Sequence, residues 1–467
     1  MQSRKDQVQA YFYVVGRLTS AVMHGRPDAY EPPNRRPVLG YVIGLLLALV
    51  IAGGFGIYGL FRPGGDSSWR EPGVLIVVKE TGARYLMVGG QLRPVLNYAS
   101  ARLVIGESAQ FRVVSVSRSS LTQVTVGTPI GIPDAPDSLP AADKLYTGAW
   151  TLCAQPETAP ASVLFLHEPP SLQPVADAEG FLVRAGQETY LVAQGRRYRL
   201  AAPEVTVALG YAAVEPIKVS AAWLNPIPAG RDLAFPQVDG RGQPGPELGG
   251  RGSVVGQVFE VRNQATGDVT LYLARGDGLV RLSRTVATLA LADARIRTVY
   301  PDGAVAPLPL RADELAGTEV AASTEFVDPY PADPPRLGRP GPDDLPCVRY
   351  RPVDGTTGVT LMRTTRSAAT GAVAVPRLTT AGTTVDRTVI PAGTGVLVRN
   401  RYAPGAVGAL FLVCEYGLKY PLPGEAVSAL GYGGVAPVDL PGELLSLVPS
   451  GPALDPETAL TTRDGSR

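Results

Sequence analysis

Histidine is almost missing from this chain: His24 and His167 are the two in 467 residues. A His general base, a Ser-His-Asp arrangement or a His-ligated zinc would rest on one of them, which excludes most imidazole-based hydrolase and metal-site designs. Lysine is nearly as scarce, five beside thirty-eight arginines, and none follows a glycine, so there is no P-loop. No G-x-S-x-G elbow occurs. The formal net charge is +1 with only 18% charged residues, which leaves no electrostatic footprint for nucleic acid. Asp134 with Asp137, and Asp343 with Asp344, sit in proline-rich turns and read as turn caps. No catalytic residue, cofactor or metal ligand is expected.

What is abundant is glycine and proline, 53 and 44 residues, against 7% aromatics. That balance describes many short strands joined by tight turns. The length allows two to four domains. One segment departs from it: residues 37–61, "PVLGYVIGLLLALVIAGGFGIYGLF", hold no charge. As a helix they extend about 37 Å, enough for a ~30 Å hydrocarbon core. Tyr41 and Tyr58 stand near the ends as interfacial anchors. A leader of 36 residues argues against a signal peptide. The leader carries Arg4, Lys5, Arg17, Arg26, Arg35 and Arg36, against Arg62, Arg70 and Lys79 beyond the span. This bias places the N-terminus in the cytoplasm and the bulk of the chain outside a plasma membrane crossed once.

In the leader, Ser3 and Asp6 form a capping-box pattern, and Val8, Tyr11, Val15, Leu18 and Val22 follow at helical spacing. Gly25 and Pro27 end the pattern. Such a stripe either lies on the membrane surface or docks a cytoplasmic partner.

Two distant stretches say nearly the same thing: "GRRYRLAAPEVTVALGY" (195–211) and "GLKYPLPGEAVSALGY" (417–432). Leu209-Gly210 and Leu430-Gly431 are followed at matching intervals by Leu224 and Leu445, then Gly230 and Gly451, then Leu233 and Leu454. Nearer the span, Val116, Leu121, Gly127 and Ile130 keep the same intervals, and residues 271–293 form a fainter copy. Each copy reads as strand, turn, strand, short helix, strand, helix, too small to bury a core alone. The recurring residues are expected to be turn glycines and core leucines.

Two segments between the copies each hold a cysteine, Cys153 and Cys347, while Cys414 lies mid-strand within a copy. Three cysteines allow three single pairings; Cys153 with Cys347 is preferred because both lie outside the copies.

The leader "SRKDQVQAYFYVVGRLTSAV", the linker "EPPNRRP", the span and the block "GVLIVVKETGARYLMVGGQLRPVLNYASARL" resemble EccB, the membrane component of actinobacterial type VII (ESX) secretion systems. The resemblance runs from residue 2 to about 456, with "RPVLNYASARL" (93–103) as its most specific motif. It implies a mainly β fold with short helices (α+β). One N-terminal transmembrane helix precedes four repeat domains around a central β-rich domain, braced by a Cys153–Cys347 disulfide. The boundaries expected on this sequence are a cytoplasmic helix and linker, 1–36; the span, 37–61; and repeat domain 1, 72–140. The central domain takes 145–190 and 345–405, with repeat domains 2, 3 and 4 at 191–245, 255–320 and 406–456 and a disordered tail at 457–467. The resemblance also implies a structural role in the inner-membrane secretion complex, with the EccC ATPase, EccD, EccE and further copies of itself as partners. The family has been described as having ATPase activity, for which this sequence offers no nucleotide-binding motif. The alternative from another class is a membrane-anchored extracytoplasmic hydrolase, acting on ATP or on the cell wall.

Overall fold

The computed structural model describes residues 4–25, 35–61, 68–107, 110–156, 159–300, 303–338, 340–353, 356–375, 384–401 and 408–462. Ser3, the linker up to residue 34 and the last five residues lie outside them. Two compact units emerge: residues 1–83 with 113–125, and residues 84–112 with 126–467.

The first unit contains two long helices. Helix α1 (Arg4–His24) covers the leader pattern and ends where Gly25 turns left-handed at φ 66°. Helix α2 (Arg35–Phe61) contains the apolar run. Its stretch Val38–Tyr58 has mean hydropathy 2.5 and buries nothing against the protein, as expected for a helix whose solvent is lipid. Beyond it lies the strand Val74–Val78, after which the Lys79 N–H donates to Val116 O at 2.9 Å.

The second unit is mainly β. It opens with a hairpin, Arg84–Val88 against Gln91–Pro94, whose two-residue turn Gly89-Gly90 has φ 59° and 78°. Positive φ at both turn positions matches the right-handed twist of the strands, and glycine adopts it without strain. Helix α3 (Tyr98–Ile105) follows, capped by Asn97, whose Oδ1 accepts from Ser100 N–H at 3.0 Å.

Three sheets then share one four-strand order, each an antiparallel three-strand meander with a fourth strand returning parallel beside the first. In the first, Glu179–Ala185, Glu188–Ala193 and Arg196–Arg199 lead through helix α4 (Pro203–Ala208) to Ile217–Lys218 and helix α5 (Ala221–Leu224). The two-residue strand Arg336–Leu337 also pairs with Glu179–Ala185. In the second, Val258–Arg262, Val269–Arg275 and Gly278–Leu282 lead through helix α6 (Arg284–Ala292) to Leu308–Leu310 and helix α7 (Ala312–Ala316). In the third, Gly395–Arg401, Leu410–Cys414 and Lys419–Pro421 lead through helix α8 (Ala426–Ala429) to Val438–Pro441 and helix α9 (Gly442–Leu445). Of the three first strands, Val258–Arg262 falls within the expected repeat domain 3 at 255–320, while the other two fall outside the expected repeat domains. Glu179–Ala185 and Gly395–Arg401 fall in the segments 145–190 and 345–405 assigned to the centre, yet both hydrogen-bond into meanders. Each is the strand the parallel fourth strand needs, a pairing that spacing along the chain does not reveal.

A seven-stranded sheet is assembled from distant pieces, in the order Val373–Ala374, Arg387–Val389, Ala161–Phe165, Trp150–Gln155, Asp344–Val353, Thr356–Thr365, Gln173–Pro174. Its core is shared: Trp150, Leu152 and Val348 from this sheet, Trp223 and Leu224 from the first meander unit, and Leu440, Leu444 and Leu445 from the third form one buried cluster. Trp223 Nε1 donates to Leu152 O at 3.2 Å, which settles the indole inside that cluster.

Of the expected tail, 457–467, residues 457–462 are described. Helix α10 (Pro456–Leu460) is capped by Asp455, whose Oδ2 accepts from Thr458 N–H at 3.0 Å. Ala459 is fully buried in a cluster with Ala99 and Leu103 of α3. Proline at the first helical position and an aspartate cap are ordinary helix-start chemistry.

Candidate functional site

The recurring residues converge on one local device. After the second short helix of a copy, the chain returns to the edge of the third meander strand and makes a single parallel bridge: Arg197 with Ala229, Lys419 with Ser450, Leu92 with Val126, and Leu279 with Val320. The next N–H closes it: Gly230 donates to Arg197 O at 2.8 Å, Gly451 to Lys419 O at 2.9 Å, Gly127 to Leu92 O at 2.9 Å, and Ala321 to Leu279 O at 2.8 Å.

Glycine is required where this clasp crosses a side chain. A Cβ on Gly230 would overlap the Tyr198 ring, and one on Gly451 the Tyr420 ring, both rings being 2% exposed. On Gly127 it would stand 2.7 Å from Gln91 Oε1. The faint copy puts its glycine on the other strand of the clasp. There a Cβ on Gly278, at φ 136°, would meet the Glu319 carbonyl oxygen at 2.5 Å. That exchange explains why the sequence pattern blurs while the bridge persists.

Leu209, Leu224, Leu430 and Leu445 are all buried, whereas Leu121, at the end of the 3-10 turn Arg118–Leu121, is half-exposed. Gly210 and Gly431 end α4 and α8 at φ 77° and 88°. The tyrosines that follow, Tyr211 and Tyr432, donate to Pro335 O at 2.8 Å and Pro140 O at 2.7 Å. A cation closes each α5- or α9-type helix: Arg197 Nε donates to Ile227 O at 3.0 Å, and Lys419 Nζ to Leu445 O at 2.9 Å and Val448 O at 2.5 Å. Burial pulls the Lys419 pKa down to about 8.

Cys153 and Cys347 stand directly opposite each other on neighbouring antiparallel strands of the seven-stranded sheet, their Cα atoms 4.0 Å apart, and are joined by a disulfide. Cys414 is free and buried, and burial pushes its thiol up to about 12.

The leader stripe lies open: Val8, Tyr11, Val15, Leu18 and Val22 are all exposed. So are Phe12, Tyr13 and Val14, so the apolar surface of α1 extends well past the stripe read from spacing. An aromatic run of consecutive positions was the signal available for that wider face.

The acidic pairs take structural partners. Asp137 Oδ1 accepts from Tyr98 N–H at 3.0 Å and from Arg84 Nη1 at 2.5 Å, and Asp344 Oδ2 from Gly341 N–H at 3.0 Å. Asp134 holds a left-handed turn at φ 59°, and the Asp343 carbonyl accepts from Arg366 N–H at 2.6 Å. His167 is half-buried, and among the described residues its Nδ1 has no hydrogen-bond partner. Among the described residues no three His, Cys, Asp or Glu side chains gather as a metal site.

The family model described as type VII secretion system ESX-1, transport TM domain B, matches residues 1–466. The ESX-3 secretion system ATPase EccB3 of Mycobacterium tuberculosis H37Rv is 28% identical over 98% of this chain and 89% of its own length. The ESX-1 secretion system ATPase EccB1 of Mycolicibacterium smegmatis MKD8 is 27% identical over 98% and 95%. Among solved structures, a chain of the intact ESX-5 inner membrane complex superposes with TM-score 0.70 at 24% identity, covering 100% of this chain and 96% of that one. A chain of the EccB3 dimer from the ESX-3 core complex gives 0.67 at 25%, covering 83% and 100%.

Proposed function

We propose, for a chain that belongs to the EccB family of type VII secretion membrane components, a structural role in the inner-membrane secretion complex. The observation that carries this reading is the family match over essentially the whole chain, leader and apolar helix included. The N-terminus is cytoplasmic, α2 crosses the plasma membrane once, and the remainder is exported. That exported part is four repeat domains around a central β-rich domain, braced by the Cys153–Cys347 bridge. The shared strand order, the recurring clasp and the common core around Trp150 and Trp223 support it.

The partners on this reading are EccC, EccD and EccE, and further copies of this chain bound through the exported part. The open apolar face of α1 docks a cytoplasmic-side partner through Val8, Tyr11, Val15, Leu18 and Val22. Tyr11, Val15 and Leu18 changed together to Asp leave membrane insertion intact, because the insertion signal lies wholly in α2. The triple variant then loses the partners that co-purify with the wild-type protein in mild detergent. Co-purification at wild-type yield overturns the docking role. A reporter fused after Arg467 reads the orientation and is active only outside the cytoplasm.

A second reading, ATP hydrolysis, is favoured by the names the relatives carry. Turnover by residues 72–467 that survives further purification and is abolished by one point substitution would establish it.

A further inference from the structure

The neighbouring strands Trp150–Gln155 and Asp344–Val353 set Arg349 opposite Thr151. Arg351 stands two residues further along the same strand, on the same face, because side chains alternate along a strand. The two arginines line a cavity of about 410 Å³, whose wall also includes Tyr146 and Glu168.

Both guanidinium groups are short of acceptors. Arg351 is exposed and, among the described residues, has neither a hydrogen bond nor an ion pair. The Arg349 side chain is only 21% exposed, and among the described residues it makes no hydrogen bond. Its ionic neighbour is Glu168, with Nη1 3.9 Å from Oε1, too far for a hydrogen bond. Glu168 is itself 71% exposed, so the pair is screened and weakly held. Arg349 Nε is sealed from solvent, so the surface it offers is its Nη edge. Two arginines against one glutamate leave the wall at net +1. Tyr146 feels the same three charges: burial and then Glu168 raise its pKa, while Arg351 and Arg349 lower it.

We infer that this cavity binds a phosphate group, held between the Nη edge of Arg349 and the guanidinium of Arg351. A tetrahedral phosphate presents three terminal oxygens and can engage both arginines at once, whereas a single arginine fork already fills both oxygens of a carboxylate. Glu168 is the competitor for Arg349, and its exposed side chain is free to swing out as the anion enters. The same chemistry fits the free ion and a phosphate monoester.

The test is calorimetric titration of the full chain in a maltoside detergent and phosphate-free buffer, with inorganic phosphate, glycerol 3-phosphate and acetate as probes. Saturable binding of inorganic phosphate is expected, with acetate about tenfold weaker or more. Glycerol 3-phosphate binding alongside it assigns a monoester as the ligand, and inorganic phosphate binding alone assigns the free ion. Arg351→Gln weakens the binding about tenfold, and Glu168→Gln tightens it severalfold by removing the competitor. Both residues are exposed, so the unfolding midpoints of the two variants stay at the wild-type value. A purely structural role for these residues does not move affinity in opposite directions. No saturable binding of either phosphate, equal binding of acetate, unchanged affinity in Arg351→Gln, or unchanged or weaker affinity in Glu168→Gln would each overturn the inference.

Discussion

The hydroxyl of Tyr432 donates to the carbonyl of Pro140 at 2.7 Å, across 292 residues of sequence. Tyr211 makes the matching bond to Pro335 O at 2.8 Å. Each tyrosine follows the left-handed glycine that ends a short helix, and each is a buried ring whose polar tip reaches an acceptor on a proline, a residue with no N–H of its own. Tyr432→Phe or Tyr211→Phe leaves that carbonyl unpaired and destabilises by ~1–2 kcal/mol. Denaturant unfolding with an unchanged m-value would show it; a shift under a few tenths of a kcal/mol would refute it.

The two classes of recurring glycine respond differently to alanine. At Gly230 and Gly451 the new methyl enters a buried tyrosine ring, which has nowhere to go, and the loss is roughly 2–3 kcal/mol. At Gly210 the space is open and only the positive φ is strained, so the loss is about 1 kcal/mol. Thermal unfolding of the three single variants tests that order.

Cys414 should be silent in the native protein at neutral pH, because its thiol is buried and held up at about 12. Alkylation of intact protein is expected to label no cysteine, denaturation without reductant one, and denaturation with reductant three. Labelling of Cys153 or Cys347 before reduction contradicts this account.

Asp293 gives a pH signature. Burial favours its protonation, but hydrogen bonds from Arg295 and Arg241 outweigh this and hold its pKa below 3.8. A depressed folded-state pKa contributes stability that is present above the unfolded value and lost as pH falls through the folded one. Asp293→Asn therefore destabilises at neutral pH by about 2 kcal/mol, the scale of losing charge-assisted hydrogen bonds. The gap between variant and wild type closes below about pH 4. A gap that is constant with pH rules out the carboxylate as its source.

The sequence by itself determined the elements that depend on neighbours in the chain. An uncharged run of this length has one low-energy state in lipid, so α2 was legible from composition. The leader helix was legible from 3.6-residue spacing, and the repeats from turn glycines and leucines, since local backbone geometry and burial constrain those residues directly. The tertiary structure decided what depends on distant partners. Which strand opens each meander follows from a parallel partner lying tens of residues downstream, as Ile217 beside Val183 shows. The demand for glycine at 230 and 451 comes from tyrosine rings about thirty residues earlier. Spacing along a chain records periodic burial; it carries no record of which remote atom a buried polar group will meet or be denied.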